Sequence, residues 1–343
     1  MTPITQRLAI HDIIEETEDA KTFVLASVDG QPLEYQAGQF LTFLFQESGH
    51  EVRRSFSLSS SPSVDSLPSV TIKRVANGLI SRPLLDYSRI GDVWECLPPA
   101  GRFVLPAHPP KHVFLLAAGS GITPLLALTK ELLAKHPSTK ITLIYSNKSV
   151  ESTIFYAQLT ALQAAHSEQL KVIFLWGNAK NLRWARLNGT LLEEIIQQTL
   201  QGAPFSDAHF YACGPFHYML MVEISLLTIG FHKDQLQREH FVIESKPPTP
   251  KQYPAQTILA SFQGTQQTIL VRENQTLLDA GLVAGWPLTY TCRAGRCGAC
   301  IALCTSGEVE MEYNEVLTDE EVANGQVLTC MAHPLTEGVS IAW

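Results

Sequence analysis

The 343-residue sequence lacks an excess of basic charge: 25 lysines and arginines face 33 carboxylates, a net of −8. That disfavours a nucleic-acid-binding role, whose affinity rests on cationic contacts to phosphate. It also lacks a long unbroken apolar run. The longest candidate, HVFLLAAGSGITPLLALT (residues 112–129), is interrupted by Gly119, Ser120, Gly121 and Pro124, and reads as a buried strand, a tight loop and a helix, not a membrane span. No basic start followed by an apolar stretch and a small-residue cleavage site opens the chain, so the expected location is the cytoplasm. Internal repeats, a Walker phosphate loop and a Ser-His-Asp elbow are missing, and the eleven histidines are scattered without a ligand pattern. The cysteines number seven, odd for a chain without an export signal. That argues against a disulfide framework and leaves metal or redox chemistry.

The length implies two or three domains. Residues 1–105 carry short alternating or β-branched runs (LAIHDII, KTFVLASV, QFLTFLF, RSFSLSS, SVTIKRV, DVWECL) punctuated by turn residues, the pattern of an antiparallel β-barrel or sandwich. Residues 106–245 alternate buried strands (HVFLLAA, KITLIYS, KVIFLWG, AHFYACG) with helical stretches, which predicts an α/β domain with a parallel sheet covered on both faces. KPPTPKQYPAQ, residues 246–256, has four prolines in eleven residues and reads as a linker. Residues 257–343 open with two strands and a helix-like stretch around Thr276–Ala284, then a cysteine loop. This last segment holds three arginines against ten carboxylates, so nearly all of the net charge lies there. An acidic module on a near-neutral body suits a basic partner surface.

The most specific motif is CRAGRCGAC. Cys292, Cys297 and Cys300 have the spacing C-x4-C-x2-C, and Cys330 follows after 29 intervening residues. This is the ligand spacing of a plant-type [2Fe–2S] cluster held by four thiolates. Gly295 and Gly298, with Ala294 and Ala299, keep the loop slim enough to wrap a cluster and aim N–H groups at its sulfurs. Structural zinc is the alternative, but it usually presents two C-x2-C pairs, and only one is present. Cys304 is read as a small buried residue and Cys96 as structural.

Such a cluster takes one electron at a time, so another group must supply electrons. GSGITP (Gly119, Ser120, Gly121, Ile122, Thr123, Pro124) sits at a strand–helix junction, where glycines and a helix N-terminus can receive a pyrophosphate. Cys213-Gly214-Pro215 ends another strand at the carboxyl edge of the sheet, where open α/β sheets bind ligands. After the second strand comes Asn147-Lys148-Ser149 without an immediate acidic residue; Lys148 can meet a 2′-phosphate, so the reading inclines to NADPH over NADH.

Together these motifs resemble the ferredoxin-NADP reductase superfamily. The order is that of the three-domain FAD, NAD(P) and plant-type ferredoxin reductases, such as the reductase components of phenylacetyl-CoA epoxidase and of the hybrid-cluster protein. The resemblance covers nearly the whole chain and implies a β-grasp ferredoxin domain at its end. It implies that Arg54-Ser55-Phe56-Ser57 binds the flavin: Arg54 on the diphosphate, Phe56 against the isoalloxazine in place of the usual tyrosine, Ser57 near N5. Ile72, Lys73 and Val75 would line the flavin, and Gly78-Leu79-Ile80-Ser81 would hold its diphosphate, favouring FAD over FMN. Gly38-Gln39 would be structural. Cys213 would lie beside the nicotinamide C4, and Phe241, in Glu239-His240-Phe241, would shield the flavin. The implied activity is hydride transfer from NAD(P)H to FAD, then single electrons through the [2Fe–2S] cluster to a protein acceptor, with Ser57 and Cys213 nearest the chemistry and no protein group required as a strong acid or base. An oxygenase component is the first acceptor expected and a hybrid-cluster or other metalloprotein the second. A redox-inactive or zinc-stabilised interaction protein is the reading from a different class.

Overall fold

The computed structural model describes residues 5–47, 49–76, 78–241 and 251–343, with the side chain of Glu47 left aside. They fall into two compact units, one of residues 6–99 and 103–241, the other chiefly residues 251–343.

The first unit contains the barrel and the α/β domain. In the barrel, β1 (Gln6–Thr17), β2 (Ala20–Ser27), β3 (Phe40–Glu47), β4 (His50–Ser57), β5 (Ser69–Lys73) and β6 (Val93–Cys96) form an antiparallel sheet, with helix α1 (Ser81–Tyr87) between the last two. The order is β4-β3-β6-β1-β2-β5, and a bridge between Leu58 and Val70 joins the two edges, so the sheet curls closed and removes its exposed edges. Alternate residues point inward: Leu8 and Ile10, Phe23 and Leu25, Leu41 and Phe43 meet Trp94 in the core. Cys96 is fully buried there.

The α/β domain runs β7 (His112–Ala118), α2 (Ile122–Lys135), β8 (Lys140–Asn147), α3 (Tyr156–Ala165), β9 (Leu170–Trp176), α4 (Gly189–Leu200), β10 (Ala208–Cys213), α5 (Phe216–Ile229) and β11 (Leu236–Glu239). All pairings are parallel. β7 is apolar throughout because both faces are covered: Val113 and Leu115 pack with Leu125 and Leu159 of α2 and α3, Phe114 and Leu116 with Ile195 and Val222 of α4 and α5. The order β11-β10-β7-β8-β9 means that the chain moves one way from β7 and later returns to β7's other side. The gap between the carboxyl ends of β7 and β10 is therefore the switch point at which such sheets bind ligands.

In the second unit, β12 (Gln256–Phe262), β13 (Thr265–Val271), α6 (Leu277–Val283), β14 (Ile301–Ser306), β15 (Val309–Met311), α7 (Asp319–Ala323), β16 (Gln326–Leu328), β17 (Ala332–Pro334) and β18 (Ser340–Ala342) follow in turn. A five-stranded sheet, β13-β12-β18-β14-β16, accompanies the pair β15-β17. α6 covers one face through Leu277 and Ala280, which pack on Ile258 and Ile341. Within the proline-rich stretch, residues 246–250 lie outside the described residues. Tyr253, however, is buried, its ring stacked on His333 at 3.9 Å, and its N–H donates to Asn274 Oδ1 at 2.9 Å.

Candidate functional site

Both nucleotide motifs flank the switch point. Gly119–Gly121 forms a tight turn between β7 and α2, and Cys213-Gly214-Pro215 joins β10 to α5. Gly121 is there because the two chain segments touch: a Cβ on it would lie 2.0 Å from the Cys213 carbonyl oxygen. Gly119 is different. Its φ is +57°, and a Cβ would meet no atom within 4 Å, so its face is open to a ligand. Tyr145 Oη donates to its carbonyl at 3.0 Å, and Thr123 Oγ1 donates to the Ser120 carbonyl at 3.1 Å. Thr123 and Pro124 are buried and shape the turn, leaving backbone amides as what the loop can offer. Helices α4, α6 and α7 are capped by Asn188, Thr276 and Thr318. α2 and α5 start on Gly121 and Pro215 with no side-chain cap. Two uncapped N-termini at one sheet edge are suited to a pyrophosphate.

The flavin-motif strand β4 brings its hydroxyl to the same place. Ser57 Oγ donates to Glu239 Oε2 at 2.7 Å. Glu239 pairs in register with Cys213 at the ends of β11 and β10. Burial pushes the Glu239 carboxyl up to about 7, against the lowering effect of the Ser57 bond. Burial, then the Glu239 charge, raises the Cys213 thiol well above its ordinary range, so it stays protonated. Ser57, Cys213 and Glu239 thus form one cluster. The sequence singled out the first two; the proton-holding character of Glu239 was missed, because its burial depends on a contact 182 residues away.

The period of two separates the rest of β4: Arg54 and Phe56 share one face, Ser55 and Ser57 the other. Arg54 is exposed. Its Nη1 donates to the Arg53 carbonyl at 2.8 Å, and no carboxylate among the described residues pairs with it. Phe56 is half-buried, tilted against Phe43 with centroids 6.1 Å apart, so part of its surface already serves the barrel. Ser55 Oγ shares a 3.0 Å hydrogen bond with Thr42 Oγ1. On β5, the Ile72 side chain lies wholly in the barrel core, and Lys73 pairs with Asp19 at 3.5 Å; only backbone of Ile72 can face a ligand. Val75 is exposed. Ser81 Oγ accepts the Val75 N–H at 3.1 Å, and a Cβ on Gly78 would strike that hydroxyl at 2.3 Å, so Gly78 and Ser81 hold the turn leading into α1. Phe241, at the end of the described stretch, is 44% exposed. Gly38, with φ +92°, does have a packing role: a Cβ would lie 1.9 Å from the Phe103 carbonyl oxygen.

In the second unit the four motif cysteines converge. Sulfur contacts run from Cys297 to Cys292, on to Cys330, and then to Cys300. The Ala294 and Arg296 amides donate to Cys292 Sγ at 3.4 and 3.5 Å. Hydrogen bonds from its two thiol neighbours, then those amides, hold Cys292 well below the ordinary thiol range, while sharing pushes Cys297 and Cys330 up. Gly295, φ +69°, is irreplaceable locally, since a Cβ would lie 2.6 Å from the Tyr313 carbonyl oxygen. Among the described residues no three acidic, imidazole or thiol groups close on a point suited to one metal ion; four thiols in pairwise contact, with slim backbone and N–H groups aimed at sulfur, fit a polynuclear cluster. Cys304 stands apart, its thiol donating to the Ser306 carbonyl at 3.3 Å.

Barrel, α/β sheet and cysteine module define an NAD(P)H-dependent flavin and iron–sulfur oxidoreductase. The sequence matches the oxidoreductase FAD-binding domain over residues 7–105, the oxidoreductase NAD-binding domain over 115–223 and the 2Fe-2S iron-sulfur cluster binding domain over 261–335. It is 34% identical to the ferredoxin reductase component of 3-ketosteroid-9-alpha-monooxygenase from Mycolicibacterium smegmatis, across 98% of this chain and 96% of that one. It is 29% identical to a component of the 1,2-phenylacetyl-CoA epoxidase from Escherichia coli, across 97% and 96%. Phthalate dioxygenase reductase shares the fold over both full lengths, with TM-score 0.62 and 24% identity. An intact type IV self-sufficient cytochrome P450 monooxygenase superposes with TM-score 0.77 and 22% identity over 98% of this chain, which spans about two fifths (41%) of that structure. The chain belongs to the three-domain ferredoxin reductases, which carry FAD-binding, NAD-binding and [2Fe–2S] modules in that order. No helix among the described residues is long and apolar enough to cross a membrane.

Proposed function

We propose that this chain is the reductase component of an oxygenase system, working in the cytoplasm and drawing on NADPH in preference to NADH. The observation that carries the site assignment is the meeting of Ser57, Glu239 and Cys213 at the switch point. The oxygenase acceptor follows from the relatives, which are components of a ketosteroid monooxygenase and a phenylacetyl-CoA epoxidase.

In this reading Arg54 holds the FAD diphosphate with its exposed guanidinium, aided by amides of the turn that Gly78 and Ser81 shape. Phe56, the backbone of Ile72 and Lys73 at the end of β5, and Val75 just beyond it would line the isoalloxazine, with exposed Phe241 as its cover. Ser57 and Glu239 present a hydroxyl and a shared proton to the reacting edge. The Gly119–Pro124 loop and Gly214-Pro215 take the nicotinamide dinucleotide, with Cys213 packed beside the transferring carbon. Cys292, Cys297, Cys300 and Cys330 hold the [2Fe–2S] cluster. When bound, the flavin accepts a hydride as an electron pair and releases electrons singly, which is the conversion a one-electron cluster requires. The acidic ferredoxin module, residues 257–343, is the docking surface for the acceptor.

NADPH over NADH rests on Lys148, which is exposed after β8 and pairs with no carboxylate among the described residues. Lys148→Ala should raise the KM for NADPH about tenfold or more and leave that for NADH within about twofold, the loss of one charge-assisted phosphate contact. Equal change for both nucleotides would remove the preference from this residue.

A further inference from the structure

The nucleotide loop and the flavin strand are tied together at a second place, away from the reacting groups. Beyond Ser57, the chain leaves β4 in a serine-rich loop, Ser59-Ser60-Ser61-Pro62-Ser63-Val64-Asp65. This loop is gripped by the middle of α2, the helix whose first turn forms the nucleotide loop. Lys130 Nζ donates to both Asp65 oxygens at 2.9 Å, and its side chain is only 9% exposed. The neighbouring Glu131 accepts Ser61 Oγ at 2.6 Å and Ser63 Oγ at 2.9 Å, and pairs with Lys135 at 2.9 Å. Burial alone would raise the Glu131 carboxyl; its hydrogen bonds outweigh that and hold it below the ordinary range.

The loop is stiff on its own side. Asp65 Oδ2 also accepts the Ser61 N–H at 2.7 Å, Tyr35 Oη donates to Ser60 Oγ at 2.7 Å, and Ser59 Oγ bonds Thr71 Oγ1 on β5 at 2.8 Å. Ser59, Ser60 and Ser61 are all buried. Lys130 and Lys135 face Asp65 and Glu131, each of which has more than one donor, and the Lys130 charge also reaches Glu16. A half-buried group of this kind is costly to leave incomplete, so it has one arrangement and not several. An apolar contact would let the lobes slide; directional bonds between rigid partners do not.

We propose that Lys130 and Glu131 are positioning residues for hydride transfer: their grip on the Ser59–Asp65 loop sets how the nucleotide loop meets the flavin strand. The proposal rests on the site assignment above, in which Ser57 faces the flavin and Gly119–Gly121 the pyrophosphate. From Ser57 the chain soon reaches Ser61, and α2 carries the constraint back from Glu131 to Gly121 along one helix. Hydride transfer needs donor and acceptor within about 3–3.5 Å, and a displacement near 1 Å costs on the order of a hundredfold in rate.

The test uses the full chain with Lys130→Met and Asp65→Asn together, which removes both members of the ion pair, and separately with Ser61→Ala and Ser63→Ala. In flavin-free protein, hydrogen exchange at residues 59–65 and 128–135 should quicken relative to wild type. In holoprotein, flavin content and NAD(P)H affinity should stay close to wild type. The hydride-transfer rate constant by stopped flow should fall about ten- to hundredfold, and the long-wavelength charge-transfer absorbance should weaken. Lys130→Arg should retain the wild-type rate. A wild-type rate and absorbance in both double variants would overturn the proposal, as would loss of rate only in proportion to lost flavin or lost affinity. Ser57→Ala separates the two readings: if it slows hydride transfer and the loop variants do not, the grip fails while the site assignment stands; if Ser57→Ala is also without effect, the assignment itself fails.

Discussion

Two residues at the site make sharp predictions because their surroundings are unlike those of most side chains of their kind. Arg54 is an exposed guanidinium without a carboxylate partner among the described residues. Its removal should cost the fold little, within about 0.5 kcal/mol. Arg54→Ala should therefore purify folded but flavin-poor, read as the ratio of flavin to protein absorbance; full occupancy would contradict its role. Glu239 is the opposite case, a carboxyl lifted by burial to about 7 from an ordinary value of 4.5. A group whose folded value is raised binds its proton more tightly in the native chain. Its contribution to stability is thus full below about pH 4, is lost as pH rises towards 7, and is level beyond. Glu239→Gln should flatten the fall in stability between about pH 4 and 7, measured by denaturant titration. An unchanged slope would show that the carboxyl is not buried as described.

At the scale of elements, glycine positions show how closely the loops are built. Gly121→Ala pushes a methyl group into the end of β10. It should destabilise the chain by about 1–3 kcal/mol and weaken NAD(P)H binding, while flavin content holds; calorimetry and nucleotide titration check both. Much at this scale was legible beforehand. HVFLLAA followed by a glycine loop gives β7, its turn and α2, because a strand buried on both faces must be apolar throughout. The barrel strands likewise show their period of two. What was not legible has physical reasons. β11 reads Leu-Gln-Arg-Glu, four half-buried residues with no apolar pattern, and it is a strand because β10 pairs with it. Strands β15, β16, β17 and β18 are three residues each, too short to carry periodicity. α1 has a proline at its third position and spans only seven residues. Tyr253 reads as part of a proline-rich linker, yet it stacks on His333, far along the chain. The four-cysteine motif was legible because its spacing stands out in the sequence itself, whereas the Ser57–Glu239 and Lys130–Asp65 contacts exist only once distant segments meet.

At the scale of the whole molecule, three modules in one chain predict that function divides along their borders. Cys297→Ser should lose the visible signature of the cluster and the transfer of electrons to a one-electron protein acceptor. It should keep most NAD(P)H-dependent reduction of a two-electron dye, since Arg54, Ser57 and Gly119 lie outside the ferredoxin module. The charge is divided too, with the surplus of carboxylates in residues 257–343. Transfer to the acceptor should therefore weaken as ionic strength rises above about 0.1 M, while dye reduction does not. The central claim, that one polypeptide turns a nicotinamide's electron pair into single electrons, is tested most directly by anaerobic titration of the purified protein with NADPH and with NADH, followed by visible and electron paramagnetic resonance spectra alongside iron and flavin analysis. The predicted result is one FAD and two irons per chain, bleaching of both chromophores by the nucleotide, and the spectrum of a reduced [2Fe–2S] centre. Iron-free, flavin-free protein, or a cluster that stays oxidised while the flavin is reduced, would contradict it.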